Sequence, residues 1–154
     1  MSTTAGKPSI EEPTVLFLCT GNYYRSRFAE ELFNHLAARR GLATRSVSLG
    51  FNPSPEYNPG SVSEHALRRL RSLGIRPAAA SRLPAAVRRE DFLRHPHCIA
   101  LSETEHRPVM ERLFPEFAGR IRYWQVEDLR WETPELALAK IELNVRDLLD
   151  SLPG

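Results

Sequence analysis

Cysteine is scarce in this chain. Its 154 residues hold two, Cys19 and Cys98, too few for a disulfide framework, and free thiols point to a reducing compartment. Lysine is nearly absent as well: the 21 basic residues are almost all arginine and balance 19 acidic ones to a net charge of +2. That balance is too slight to argue for a nucleic-acid partner. No apolar run is long enough to span a membrane. The opening "MSTTAGKPSIEEPT" has neither the basic start nor the apolar stretch of a signal peptide. Repeats and low-complexity tracts are missing too. These absences lead us to expect a cytoplasmic protein with a disordered leader over residues 1–13 and one domain over 14–154, binding neither nucleic acid nor membrane.

What is present is a strand-and-helix alternation. "VLFL" before Cys19 is a continuous apolar run, as in a strand buried on both faces. Beyond a short turn, Phe28, Leu32, Phe33, Leu36 and Ala37 fall on one helical face and Glu30, Glu31, His35 and Arg39 on the other, with Gly41 as the stop. "ATRSVSL" (43–49) reads as a second strand ending at Gly50, which makes a βαβ unit. "FNPSPEYNPG" (51–60) is a loop. Ser61 to Glu64 has the spacing of a capping box, opening a helix that Gly74 ends. Residues 77–87 carry little signal, and "REDFL" suggests one helical turn. "HCIAL" (97–101) reads as a third strand, followed by a helix near 105–114. "RIRYWQV" (120–126) reads as a fourth strand. Thr133-Pro134 then caps a long helix whose buried stripe is Leu138, Ile141, Val145, Leu148 and Leu152. The expected fold is α/β: three layers, a four-stranded parallel sheet with helices on both faces. In such sheets the site lies at the carboxyl ends of the strands, where Cys19 and Asp128 both fall.

The stretch "VLFLCTGNYYRSRFAE" (15–30) concentrates the chemistry. A loop from a strand into a helix N-terminus offers backbone amides and a partial positive charge to an anion. Gly21 permits conformations closed to other residues, and Asn22 tolerates a left-handed one. Arg25 presents a planar fork matched to two oxygens of a tetrahedral oxyanion. Ser26 is suited to cap the helix or to hydrogen-bond Cys19. The same positive field favours thiolate over thiol at Cys19, and a thiolate beneath a bound phosphate is placed for in-line attack on phosphorus. Phosphate-binding candidates are therefore Thr20, Gly21, Asn22, Tyr23, Tyr24, Arg25 and Ser26.

These residues resemble the signature of the low-molecular-weight protein tyrosine phosphatase family, V-x-F-x-C-x-G-N-x-C-R-S-P-x-A-E. Val15, Phe17, Cys19, Gly21, Asn22, Arg25, Ser26, Ala29 and Glu30 match it, and weaker likeness runs along the whole chain. The resemblance implies a phosphotyrosine phosphatase I-like, flavodoxin/Rossmann-like topology and a phosphomonoester hydrolase acting through a phosphocysteine, with no cofactor or metal. It implies Cys19 as nucleophile, Arg25 as oxyanion ligand and Asp128 in "WQVEDLRWETPE" as general acid, with Glu127 the local rival. The substrate implied is a phosphorylated protein or a small aryl phosphate, and the expected state a monomer or weak homodimer. A cycle needing Cys19 ionised and Asp128 protonated predicts a bell-shaped, mildly acidic rate profile.

Departures from the pattern are specific. Tyr24 stands in place of a second loop cysteine, so Cys19 lacks a local disulfide partner. Arg27 replaces a proline, which predicts a positive charge near the pocket mouth. Leu129 replaces the proline after the acid, which predicts a looser acid loop. Ser102-Glu103 stands where the family often has Met-Asp or Asp-Glu. Tyr23, Trp131 and Phe51 are candidates for an aromatic substrate wall. Rival readings are a non-catalytic phosphate-binding module, an arsenate reductase using Cys98, and a metal site on His95, His97, Cys98 and His106, whose spacing matches no zinc pattern well.

Overall fold

A computed structural model describes residues 13–56 and 58–152; most of the expected leader lies outside them. The chain runs β1 (Val15–Cys19), α1 (Arg25–Arg39), β2 (Ser46–Gly50), α2 (Glu64–Ser72), α3 (Arg89–Arg94), β3 (His97–Ala100), α4 (Glu103–Leu113), β4 (Arg122–Tyr123) and α5 (Pro134–Ser151). The four strands form one parallel sheet in the order β2-β1-β3-β4.

Every residue of β1 is buried, as its unbroken apolar run requires of a central strand. Alternation splits the strand between two cores. Val15, Phe17 and Cys19 face the side covered by α1, α2 and α5; Leu16 and Leu18 face the side of α3 and α4. Phe17 meets Phe33 edge-on, with ring centroids 6.0 Å apart. Each such side chain taken fully out of water contributes about 1.5–3 kcal/mol. In α5, Thr133 accepts a hydrogen bond from the Leu136 amide, Pro134 opens the first turn, and Leu138, Ile141, Val145 and Leu148 are buried.

Several local expectations are corrected. Helix α2 is capped by Ser63, which accepts from the His65 amide; the Ser61 hydroxyl turns instead to the Ala80 carbonyl. The fourth strand shrinks to two residues, because after Tyr123 the chain leaves the ladder to pair Gln125 with Ser102 in an antiparallel bridge. Glu30 and Glu31 are buried rather than solvated, since residues 78–85 fold over that face of α1. Arg27 is fully buried beneath the same segment, far from being a charge at the pocket mouth. It donates to Glu30 at 2.8 Å, to Glu31 at 3.1 Å and to the Ala79 carbonyl at 2.8 Å.

Candidate active site

A cleft of about 230 Å³ opens at the carboxyl end of β1, lined by Cys19, Thr20, Gly21, Tyr23, Tyr24, Arg25, Asn52, Asn58 and Asp128. Its floor is the loop from Cys19 into α1. Three carbonyls of that loop accept from neighbouring segments, Cys19 O from Phe51 N at 3.0 Å, Thr20 O from Asn52 N at 2.8 Å and Tyr23 O from Ser63 N at 2.9 Å, and Tyr24 O accepts from Phe28 N of α1 at 3.0 Å. No group among the described residues accepts from the backbone N–H groups of Gly21 to Ser26. The loop is thus polarised, with most of its oxygens engaged and its donors left unpaired. The first turn of α1 adds its own free amides, for Tyr24 supplies no side-chain cap.

Two small residues permit this packing. A Cβ on Gly50 would lie 2.8 Å from Thr20 O and 2.9 Å from Asn22 N, so the end of β2 must be bare for the loop to rest on it. At Gly21 a Cβ would meet the Asn58 amide nitrogen at 2.5 Å. That contact is with the end of a flexible side chain, and Gly21 is not in the left-handed region, so neither demands glycine as strictly as the backbone contact does at Gly50. The left-handed residue is Asn22, with φ 52°, and its side chain compensates the strain. The amide oxygen accepts from Ala85 N at 3.0 Å, and the nitrogen donates to Ser48 Oγ at 2.9 Å and Ser26 Oγ at 3.1 Å.

That last bond sets the polarity at the sulfur. Ser26 Oγ lies 3.0 Å from Cys19 Sγ. Because the oxygen already accepts from Asn22, its own hydrogen is available to the sulfur. Ser26 therefore serves Cys19, and not the helix end.

Arg25, nearly buried, donates through Nη1 to Glu105 Oε1 and through Nη2 to Glu105 Oε2, both at 3.0 Å, and through Nη1 also to Val126 O at 3.0 Å. Burial opposes its charge, but the Cys19 sulfur and the Glu105 carboxylate hold the guanidinium more firmly protonated than usual. Glu105 reaches in from α4 and also accepts from the Thr20 hydroxyl. Burial alone would raise its pKa, but the His106 ring, the Arg25 fork and Thr20 together hold its carboxyl well below the usual carboxylate range. His106 is wholly buried. Its Nδ1 accepts from Ser102 N at 3.1 Å, so Nε2 carries the hydrogen, 3.2 Å from Glu105 Oε2. Burial lowers its basicity, consistent with a neutral ring.

Asp128 lies on the wall, where its Oδ1 accepts from the Leu129 amide at 2.7 Å. Glu127 points away and accepts from Ser102 at 3.1 Å. The aromatic wall takes a different form from the one expected. Tyr23 lines the cleft, its hydroxyl donating to Pro59 O at 2.7 Å. Trp131 is 74% exposed and Phe51 packs on His106 at 5.2 Å between ring centroids; neither lines the cleft. Asn52 and Asn58 stand there in their place. They come from the proline-rich loop, where composition predicts only a turn. Tyr24 is buried with its hydroxyl unpartnered, and burial pushes that phenol up to about 12.

Cys98 faces the opposite core. It pairs in register with Leu16, whereas Cys19 ends the strand beside Gly50. Its thiol donates to His95 O at 3.3 Å, and burial raises it to about 12. Among the described residues no cluster of His, Cys, Asp and Glu could hold a metal ion, and no helix is long and apolar enough to cross a membrane.

The model of the family described as low molecular weight phosphotyrosine protein phosphatase matches residues 14–152. The chain belongs to this family. Solved structures agree on the fold. The low molecular weight phosphotyrosine phosphatase of Vibrio cholerae O395 superposes with a TM-score of 0.75 at 22% identity, covering 91% of this chain and 96% of the other. The low molecular weight protein tyrosine phosphatase of T. tengcongensis gives 0.74 at 24% identity, covering 92% and 100%. A protein-arginine-phosphatase of Bacillus subtilis (strain 168) is 41% identical over 56 residues, 36% of this chain and 35% of that protein. The chain thus matches about a third of this curated relative's length.

Proposed function

We propose that this family member is a phosphatase that hydrolyses phosphotyrosine through a phosphocysteine on Cys19, with Asp128 as general acid. One observation carries the reading: a loop that starts at Cys19 and runs into α1 with its N–H groups unpaired, and a Ser26 hydroxyl 3.0 Å from the Cys19 sulfur with its hydrogen free to point there. Such a cradle suits a dianion resting on a thiolate. In the first step sulfur forms a bond to phosphorus, the bond from phosphorus to the leaving oxygen breaks, and Asp128 gives that oxygen its proton. In the second, water attacks phosphorus while Asp128 takes a proton from it. The P–S bond breaks and the sulfur departs as thiolate with inorganic phosphate. Arg25 and the loop amides hold the equatorial oxygens throughout. Tyr23 would lie against the aryl group at the cleft wall.

A second substrate class, phosphoarginine, has its own support. The Bacillus relative is named for it, and the amides of Asn52 and Asn58 give the cleft a polar rim able to accept from a guanidino group. The test is a panel of an aryl phosphate, a phosphotyrosine peptide and a phosphoarginine peptide, run on wild type, Cys19→Ser and Asp128→Asn. Cys19→Ser should abolish turnover while still binding phosphate, and Asp128→Asn should most impair substrates with poor leaving groups. Unchanged turnover in Cys19→Ser would refute the assignment.

A further inference from the structure

An arginine that is to receive a tetrahedral oxyanion must be held in one plane, and the five N–H groups of a guanidinium divide into edges. In Arg25 both hydrogens of Nη1 are committed, to Glu105 Oε1 and Val126 O, and one of Nη2 to Glu105 Oε2. The N–H of Nε and the second hydrogen of Nη2 remain. They lie on the neighbouring edge, and no protein group among the described residues takes them. The carboxylate that occupies the outer edge is itself anchored. It accepts from the Thr20 hydroxyl on the phosphate loop and lies against the Nε2 hydrogen of buried His106, whose other nitrogen is fixed by the Ser102 amide. Glu105 thus links Arg25 to the residue that follows the nucleophile, although it belongs to a helix on the far side of the sheet.

We propose that Glu105 is the positioning residue of this site: by gripping the outer edge of the Arg25 guanidinium it aims the free edge at the oxyanion above Cys19. The inference rests on the phosphatase reading and adds to it a residue outside the loop motif. It runs against simple charge logic. A carboxylate beside an anion pocket repels the anion, so by field alone its removal should tighten phosphate binding. Positioning requires the reverse.

The test compares wild type, Glu105→Gln and Glu105→Ala for inhibition by inorganic phosphate and for kcat and KM on an aryl phosphate, with thermal unfolding as the control for folding. Misplacement of a catalytic group by about an ångström costs on the order of a hundredfold. Glu105→Ala should lose roughly that in kcat and bind phosphate more weakly. Glu105→Gln, which keeps the shape and one acceptor, should fall between. In an Arg25→Lys background, Glu105→Gln should cost almost nothing further, because the effect passes through the guanidinium. Phosphate binding that tightens in both variants, or full additivity with Arg25→Lys, would overturn the proposal. A wild type that neither binds phosphate nor turns over substrate would instead overturn the phosphatase reading, and this inference with it.

Discussion

Replacing Arg27 by methionine should destabilise the protein far more than replacing any exposed arginine. The side chain is wholly buried and divides its donors among Glu30, Glu31 and the Ala79 carbonyl. Methionine fills much of the stem's volume, so the loss is mainly of charge. Breaking a buried pair from one side costs about 3–5 kcal/mol, because the partner is left charged and dry. Glu30 retains Arg82 and Ser48, and Glu31 retains the amides of Ala78 and Ala79. That residual support places the expected loss at the low end, about 3 kcal/mol. For a chain of this size, each kcal/mol moves the midpoint by about 2–4 °C, hence a fall of roughly 6–12 °C. Urea unfolding followed by circular dichroism measures the loss directly. Arg82→Met, at a side chain 36% exposed, should cost only about 1 kcal/mol. Adding Glu31→Gln to Arg27→Met should recover part of the loss, since Glu30 still has Arg82 as a cationic partner. A loss below about 1 kcal/mol for Arg27→Met would mean that the buried pairing contributes little, and the reasoning would fail.

Other outcomes follow from the same geometry. Gly50→Ala places a methyl against the backbone at Thr20 and Asn22, so phosphate inhibition should weaken at least tenfold, by analogy with losing oxyanion donors; an unchanged inhibition constant would contradict the packing. Tyr24→Phe removes a hydroxyl that has no partner and should be neutral or stabilising by up to about 1 kcal/mol in thermal unfolding. Iodoacetamide at neutral pH should label Cys19 alone, because the thiol of Cys98 is raised to about 12 by burial; mass spectrometry of the labelled peptides decides this. Peroxide inactivation should be poorly reversed by dithiothreitol, since Cys98 faces the opposite core and Cys19 has no thiol neighbour; full recovery would refute it.

The region from Val15 to Glu30 was the most legible part of the chain. An apolar run, a loop and an amphipathic helix are local features, and the left-handed turn at Asn22 follows from its own side chain, whereas Ser26 suited either the helix cap or Cys19 until the fold placed it. Long-range reach was not legible. Nothing around Glu105 marks it as Arg25's partner, because the contact is made across the sheet, 80 residues away. The burial of Glu30 and Glu31 depends on a segment, 78–85, whose alanines and prolines carry no periodic signal. Asn52 and Asn58 are set by loop geometry, while Trp131, chemically suited to stacking, is left in solvent by the turn after Asp128.

The tethering of the loop carbonyls has a consequence for assembly. Phe51 and Asn52 come from one distant segment and Ser63 from another, so on the proposed reading the donor ring exists only after both have docked. A chain caught partway carries the reactive sulfur without the receptor for its anion. On the proposed reading phosphate therefore binds, and by mass action stabilises, finished molecules only.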